Sequence, residues 1–320
     1  MRVRNFFLAT VSALTTTILA STSWAQENLG TLETIGKPVD GLMGWQPPVT
    51  EVARDIQSYD TFLLWVITII SLFVTALLLI CAFRYSAKRN PEPATFTHHT
   101  GIEIAWTLIP VVILLCLIPP SLTLLFKQME IPEADITIKA TGNQWYWSHE
   151  YVDHEFGFDS FMLDRADLEE YGYAADEYLL ATDTAVVVPV NKTVVVQVTG
   201  ADVIHSWTIP AFGVKQDAVP GRLAELWFKA EKEGIYFGQC SELCGKDHSY
   251  MPITVKVVSQ EKYEAWLDGA IKEYAGLPRS VQVADANMNK VLEVEASNNY
   301  EFIVIIKAPL INLELKWQKR

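Results

Sequence analysis

Four residues able to bind a soft metal lie within one short stretch of the chain. Cys240, Cys244, His248 and Met251 follow one another at intervals of four, four and three positions. A second imidazole, His205, lies thirty-five residues before the first cysteine. Thiolate, thioether and imidazole are ligands that copper favours, above all copper that cycles through Cu(I). The sequence therefore predicts a redox copper site and a role in electron transfer.

Zinc and a disulfide remain as alternatives at this point. Zinc binds two cysteines and two histidines tetrahedrally, and the spacing of Cys240 and Cys244 suits it. Met251 favours copper, because a thioether is a poor zinc ligand but a weak axial ligand of copper. A disulfide is common in exported chains, but it leaves Met251 and both histidines unexplained. Two thiolates exceed what a single blue-copper ion uses, which suggests that the sulfurs bridge two coppers.

Strands are predicted to position these residues. Apolar and polar residues alternate in four short segments, at 136–139, 193–198, 224–229 and 253–258. A period of two indicates half-buried strands, and short strands between Gly, Pro and Asn turns predict an antiparallel sandwich or barrel. Gly234 to Gln239 is predicted to be a strand that leads into Cys240. Ser259 is predicted to cap a helix.

Three apolar segments precede this region. Residues 1–25 have a positive start, a short apolar run and small residues near Ala25, a pattern typical of a secretory signal peptide. Residues 26–60 are expected to be an exported N-terminal segment. Spans at about 61–84 and 106–126 are uncharged enough to cross ~30 Å of hydrocarbon as a hairpin, within a unit of residues 61–126.

The charged residues predict orientation and class of partner. Arg84, Lys88 and Arg89 lie between the spans, and positive loops stay in the cytoplasm, so both termini are predicted to be periplasmic. A net charge of −13 argues against nucleic acid as a partner. Eleven carboxylates between Glu150 and Asp183 form a solvated face or a surface that attracts a cationic partner.

Two further features carry alternative interpretations. The segment from Gln144 to Trp147 reads Gln-Trp-Tyr-Trp and is predicted to be a strand with Trp145 and Trp147 on one face, packed in the core or exposed to a partner. Glu103 precedes the second span, where a carboxylate is ordinary but can also load protons. Residues 276–320 form a tail to which the sequence assigns no role.

The order of these motifs is similar to that of a known family. After a signal and two spans come Gln-Trp-Tyr-Trp, Asp-Val-Ile-His-Ser-Trp, Val-Lys-Gln-Asp-Ala-Val-Pro-Gly-Arg and Gly-Gln-Cys-Ser-Glu-Leu-Cys-Gly-x-x-His-x-x-Met-Pro. The chain resembles subunit II of the haem–copper cytochrome c oxidases, in the bacterial form related to the mitochondrial enzyme. Asn143 departs from the family, which often has histidine before Gln-Trp. The resemblance implies a two-helix transmembrane hairpin plus an all-β cupredoxin-like Greek-key barrel, the latter within residues 127–275.

The resemblance also implies a metal centre. It would be the dinuclear copper centre CuA, with two copper ions bridged by Cys240 and Cys244. The remaining ligands would be His205 and His248, one for each copper, with Met251 and the backbone carbonyl of Glu242 as weak ligands. The side chain of Glu242 would bind magnesium or manganese shared with subunit I.

The resemblance finally implies a path for electrons and protons in the bacterial inner membrane. Trp145 would accept electrons from cytochrome c, with Glu150, Asp159 and Asp202 helping to dock it. The electrons would pass to haem in subunit I, where oxygen is reduced to water with proton pumping. Glu103 would lie at the mouth of the K proton pathway. Subunit III and membrane lipid are the other partners implied.

Overall fold

Two long helices form the part of the chain that crosses the membrane. The computed structural model describes residues 29, 31–92 and 94–275, together with the backbone of four strands between 280 and 317. The predicted signal peptide lies outside the described residues. Helices α1 (Glu51–Arg84) and α2 (Thr100–Met129) each contain an 18-residue stretch, with mean hydropathies of 2.8 and 2.5 respectively. About twenty residues suffice to cross a bilayer, so both helices extend beyond the hydrocarbon, and the chain is a membrane protein with two spans.

The outer ends of the helices are fixed to each other and to the following domain. Thr50 caps α1, and its Oγ1 donates a hydrogen bond to the carbonyl oxygen of Phe212 at 2.8 Å. The Nζ of Lys127, at the end of α2, lies 2.6 Å from a carboxylate oxygen of Glu51 and 2.5 Å from one of Asp55. These contacts set the position of the domain relative to the hairpin.

The domain is built from short strands, as the alternating pattern predicts. They are β1 (Thr34–Gly36), β2 (Ile136–Asn143), β3 (Tyr146–Tyr151), β4 (Phe156–Ser160), β5 (Val186–Pro189), β6 (Val194–Gly200), β7 (His205–Ile209), β8 (Val214–Ala218), β9 (Ala224–Phe228), β10 (Gly234–Gln239) and β11 (Pro252–Val258). One sheet has the order β4-β3-β2-β6-β9 and another the order β1-β10-β11-β5, while β7 and β8 form a hairpin.

The arrangement confirms the cupredoxin-like Greek-key fold but corrects the expected closed barrel. The chain passes from one sheet to the other after β1, β4, β5 and β9. The two strand orders are not joined by continuous pairing among the described strands, so the sheets pack as an open sandwich. Helix α3 (Gln260–Tyr274) begins where predicted, because the Oγ of Ser259 accepts a hydrogen bond from the backbone N–H of Lys262 at 3.3 Å.

Large aromatic side chains fill the space between the sheets. Trp147, Tyr151, Trp207 and Phe228 are almost completely buried. The Tyr151 hydroxyl donates to the carbonyl oxygen of Val187 at 2.7 Å and so joins the two sheets. A closely packed core gives the strand ends at the site fixed positions.

The C-terminal tail contains strands that the sequence analysis did not predict. They are β12 (Ser280–Val283), β13 (Leu292–Ala296), β14 (Phe302–Ala308) and β15 (Ile311–Trp317), paired in that order. All three pairings are antiparallel. This sheet is separate from the two sheets of the sandwich.

Candidate metal centre

Three strands bring the candidate ligands together. His205 is the first residue of β7, Cys240 directly follows β10, and Met251 directly precedes β11. Because β10 and β11 are antiparallel neighbours, the loop between them begins and ends at one edge of the sheet. The backbone N–H of Ser241 donates to the carbonyl oxygen of Ser206 at 3.0 Å, which fixes this loop beside β7.

The donor atoms form one chain of close contacts, which we call the donor row. The Nδ1 of His205 lies 3.8 Å from the Sγ of Cys240, which lies 3.8 Å from the Sγ of Cys244. That second sulfur lies 3.5 Å from the Nδ1 of His248 and 3.5 Å from the Sδ of Met251. The structure thus places an imidazole at each end of the row and a thiol pair at its centre.

A backbone carbonyl adds a sixth donor to the row. The carbonyl oxygen of Glu242 lies 3.3 Å from the Sγ of Cys240. The side chain of Glu242 does not contribute to the row and is exposed on the surface of the loop. His205, both cysteines and Met251 are at least 95 % buried, so most of the row is shielded from water.

The surroundings of the two thiols shift their pKa values in opposite directions. Burial opposes ionisation of Cys240, but hydrogen bonds with His205 and the backbone at Glu242 outweigh it and lower the pKa of this thiol to about 7. Burial, and then the neighbouring charge on Cys240, raise the pKa of Cys244 to about 12. Without a metal, one thiolate is therefore available near neutral pH, and the second forms when a cation compensates its charge.

The turn between β2 and β3 holds the cysteine loop from the outside. The Nε2 of Gln144 and the Nε1 of Trp145 both donate to the carbonyl oxygen of Cys244, at 2.8 and 3.3 Å. The predicted strand through Trp145 is wrong, because residues 144 and 145 form the turn where both side chains reach this carbonyl. Trp147 lies in β3, and its Nε1 donates to the carbonyl oxygen of Met251 at 3.2 Å.

Two contacts to His205 were not anticipated from the sequence. A Cβ added to Gly142 would lie 2.8 Å from three atoms of the His205 side chain, so the glycine makes room for the imidazole. The Nε2 of His205 lies 2.9 Å from the Oδ1 of Asp202. The Asp-x-x-His spacing was the only local signal of the second contact, and spacing alone does not distinguish it from a surface acid.

The remaining candidate residues lie outside the donor row. Asp159 is exposed and accepts a hydrogen bond from the Oγ of Ser148 at 2.6 Å, and Glu150 is half-buried on the same outer face of β3 and β4. Glu103 lies in the first turn of α2, where its Oε1 accepts a hydrogen bond from the backbone N–H of His99 at 3.1 Å. These positions leave their predicted roles as proposals.

Comparisons with known proteins match both the membrane hairpin and the strand-rich domain. The family model "Cytochrome C oxidase subunit II, periplasmic domain" matches residues 136–258, and its transmembrane counterpart matches residues 38–124. The chain is 58 % identical over 267 residues to cytochrome c oxidase subunit 2 of Cereibacter sphaeroides, covering 79 % of this chain and 88 % of that one. It is 44 % identical to a probable subunit 2 of Rickettsia bellii over 72 % of this chain and 85 % of that one.

A solved structure of a relative covers the domain alone. The periplasmic domain of subunit II of cytochrome oxidase of Bradyrhizobium japonicum matches at 54 % identity and a TM-score of 0.41, covering 45 % of this chain and 99 % of that one. The two family models together span the membrane hairpin and the strand-rich domain that carries the donor row. The chain belongs to the cytochrome c oxidase subunit II family.

Proposed function

We propose that this chain accepts electrons from cytochrome c at a dinuclear copper centre and delivers them to subunit I of the oxidase. The observation that carries the proposal is the continuous row of two thiols, two imidazoles, a thioether and a carbonyl between β7, β10 and β11. Copper in such a set supplies one-electron redox chemistry. The ligands would be His205, Cys240, Glu242 through its carbonyl, Cys244, His248 and Met251.

The number of donors favours two metal ions over one. A tetrahedral zinc ion needs four donors that all face one point. Here His205, Cys240 and Cys244 have donor atoms within 4.8 Å of one another, whereas His248 is not part of that group and contacts Cys244. Six donors exceed what one tetrahedral ion uses. Sulfur and imidazole donors at both ends suit copper.

Trp145 is the residue that we propose receives electrons at the surface. Its indole is half-buried, and its Nε1 donates to the carbonyl oxygen of the ligand Cys244. Trp145 is therefore partly exposed to solvent and also contacts the ligand loop. The Nζ of Lys246 lies 5.3 Å from the centre of the ring, so part of this surface is covered by a cation.

Carboxylates lie around the same turn and would attract a basic cytochrome. Burial, followed by the negative charges of Asp159 and Asp202, raises the pKa of Tyr146, the neighbour of Trp145. Both carboxylates are therefore close to this ring. Glu150, on the outer face of β3, extends the acidic surface. Complementary charge mainly speeds encounter between partners, so docking should weaken as salt is added.

Glu242 has a separate role for its side chain. Its carbonyl faces Cys240, whereas its carboxylate is exposed on the same loop. Carboxylate oxygen is the donor that magnesium and manganese prefer. We assign this carboxylate to such an ion shared with subunit I, so that one residue belongs to both the copper loop and the subunit interface.

Glu103 is the proposed point where protons enter from the cytoplasmic side. The residue lies at the start of α2, near the basic loop that holds Arg84 and Arg89. Positive loops stay in the cytoplasm, which places both ends of the chain in the periplasm and the hairpin in the bacterial inner membrane. Subunit III and lipid would complete the surroundings of the hairpin.

Metal analysis and spectroscopy of the purified oxidase test the proposal. We expect two copper ions at this chain, near-infrared absorption and a paramagnetic signal with more hyperfine lines than one copper nucleus produces. Replacing Cys240 with serine should remove these signals while the haem spectra of the complex remain. One zinc ion with no near-infrared band would disprove the copper assignment.

A further inference from the structure

We propose that Asp202 is a positioning residue of the metal centre, which holds both His205 and the turn that carries Trp145. This inference rests on the proposed copper site and goes beyond it, because it gives this acid a role other than docking of cytochrome c.

Both carboxylate oxygens of Asp202 are occupied by groups of the site. The Oδ1 lies 2.9 Å from the Nε2 of His205 and accepts a hydrogen bond from the backbone N–H of Val203 at 2.6 Å. The Oδ2 accepts a hydrogen bond from the backbone N–H of Gln144 at 2.8 Å. A single side chain therefore connects a copper ligand to the 144–145 turn.

The contact with His205 selects the form of the imidazole that binds a metal. A carboxylate accepts hydrogen bonds, so the Nε2 of His205 must carry the proton. The Nδ1 is then the nitrogen left to bind a metal, and it is the one that lies 3.8 Å from the Sγ of Cys240. A carboxylate behind a histidine fixes its tautomer and ring orientation and raises its basicity as a ligand.

The contact with Gln144 extends the same control to the electron-accepting turn. Gln144 and Trp145 both donate side-chain hydrogen bonds to the carbonyl oxygen of Cys244. Asp202 holds the backbone of this turn from the opposite side. If Asp202 moves, His205 and the position of Trp145 relative to the cysteine loop should change together.

Asp159 provides a matched control with the same charge. It is exposed and accepts a hydrogen bond from Ser148, and in the described part of the chain it contacts none of the ligand residues. A pure docking charge should behave like Asp159. Asp202→Glu keeps the charge but lengthens the side chain, so it separates geometry from charge. Asp159→Asn removes charge and leaves the ligand row untouched.

The test compares these variants in the purified oxidase. For Asp202→Glu we expect about 10–100-fold weaker copper retention against a chelator, together with altered copper hyperfine splitting and a shifted reduction potential. For Asp159→Asn we expect an unchanged copper spectrum and a weaker dependence of cytochrome c oxidation on salt. Asp202→Asn, which has one acceptor oxygen in place of two, should resemble Asp202→Glu in its spectrum.

Three outcomes would overturn the inference. One is an unchanged spectrum, potential and copper retention in Asp202→Glu. Another is that Asp202→Asn changes only the salt dependence of cytochrome c oxidation and leaves the copper spectrum unaltered. The third is failure of both Asp202 variants to fold, because a positioning role leaves the domain intact. Absence of the two-copper signal from the unaltered oxidase would instead refute the proposed function itself.

Discussion

Replacing Gly142 with alanine should displace His205, a proposed copper ligand. Gly142 lies in β2, and an added Cβ would lie 2.8 Å from the Cβ, Cγ and Cδ2 of His205. Carbon atoms in contact prefer about 3.5–4.0 Å, so the two groups must separate by about 1 Å. Metal ligands tolerate about 0.2 Å. The required displacement is therefore several times what a metal site accepts.

His205 has no free space into which it can move. The residue is completely buried, its ring meets the edge of Trp147 at a centroid distance of 6.0 Å, and its Nε2 is held by Asp202. Overpacking of this kind costs typically about 1–3 kcal/mol. We therefore expect a folded domain whose melting temperature falls by several degrees and whose copper content and spectrum change far more than its stability.

Copper analysis, near-infrared absorption and thermal unfolding of the purified oxidase would measure these effects. Gly44→Ala is the control, because a Cβ at that position has no neighbour within 4 Å. The control should match the parent in copper content and melting temperature. Full copper occupancy with an unaltered spectrum in Gly142→Ala would refute the idea that this close contact positions His205.

Four other perturbations follow from the same geometry. Trp145→Gln should abolish oxidation of cytochrome c and leave the copper content unchanged, and loss of copper would contradict the electron-accepting role. Glu103→Gln should slow steady-state turnover while the rate of copper reduction stays the same, and unaltered turnover would argue against a proton role. Burial lowers the pKa of His149 from 6.5 to about 3, so folding excludes a proton that the unfolded chain binds. Stability should therefore fall by about 1.4 kcal/mol per pH unit as the pH drops from 6.5 towards 3; thermal unfolding of His149→Gln should show a smaller slope, and equal slopes would contradict it. Oxidation should block copper loading, because a disulfide between Cys240 and Cys244 removes both thiolates, and their Sγ atoms need only close from 3.8 Å to about 2.05 Å to form it. Loading should return after dithiothreitol, and copper uptake by the oxidised chain would contradict this prediction.

Two of these variants leave the neighbouring hydrogen bonds in place. In Trp145→Gln, the side chain of Gln144 still donates to the carbonyl oxygen of Cys244, so the ligand loop keeps a restraint. In Glu103→Gln, the amide oxygen can still accept the hydrogen bond from the backbone N–H of His99. Loss of function in either variant can therefore be assigned to the indole or to the carboxylate.

The parts of the fold that depend on local pattern were predictable from the sequence. The alternating residues in β2, β6 and β9 mark strands because one face of each is more buried than the other, and those in β11 mark a strand although all seven of its residues are buried. The spacing from Cys240 to Met251 predicts a ligand loop, since four donors fall within a stretch that two strand ends can hold. Ser259 predicts the start of α3, because its hydroxyl satisfies an N–H of the first turn.

The parts that depend on distant pairing were not predictable. His205 lies beside Cys240 because β7 packs beside β10, and thirty-five residues of separation do not reveal this. Trp145 lies in a turn because two side-chain donors reach the carbonyl of Cys244, a contact across ninety-nine residues. Asp202 looks like any surface acid until the position of the 144–145 turn is known. Each case is decided by which strands become neighbours.

The loop that holds the ligands is itself held by donors from outside it. Gln144 and Trp145 bind the carbonyl of Cys244, and Trp147 binds the carbonyl of Met251. The β2–β3 hairpin therefore fixes the backbone at two ligand positions, while Ser206 fixes it a residue after Cys240. A metal that gains and loses an electron changes its preferred distances, and a rigid surrounding shell limits that change. The restraints come from a packed sheet, so they exist before a metal binds and would persist in both redox states of the proposed copper centre.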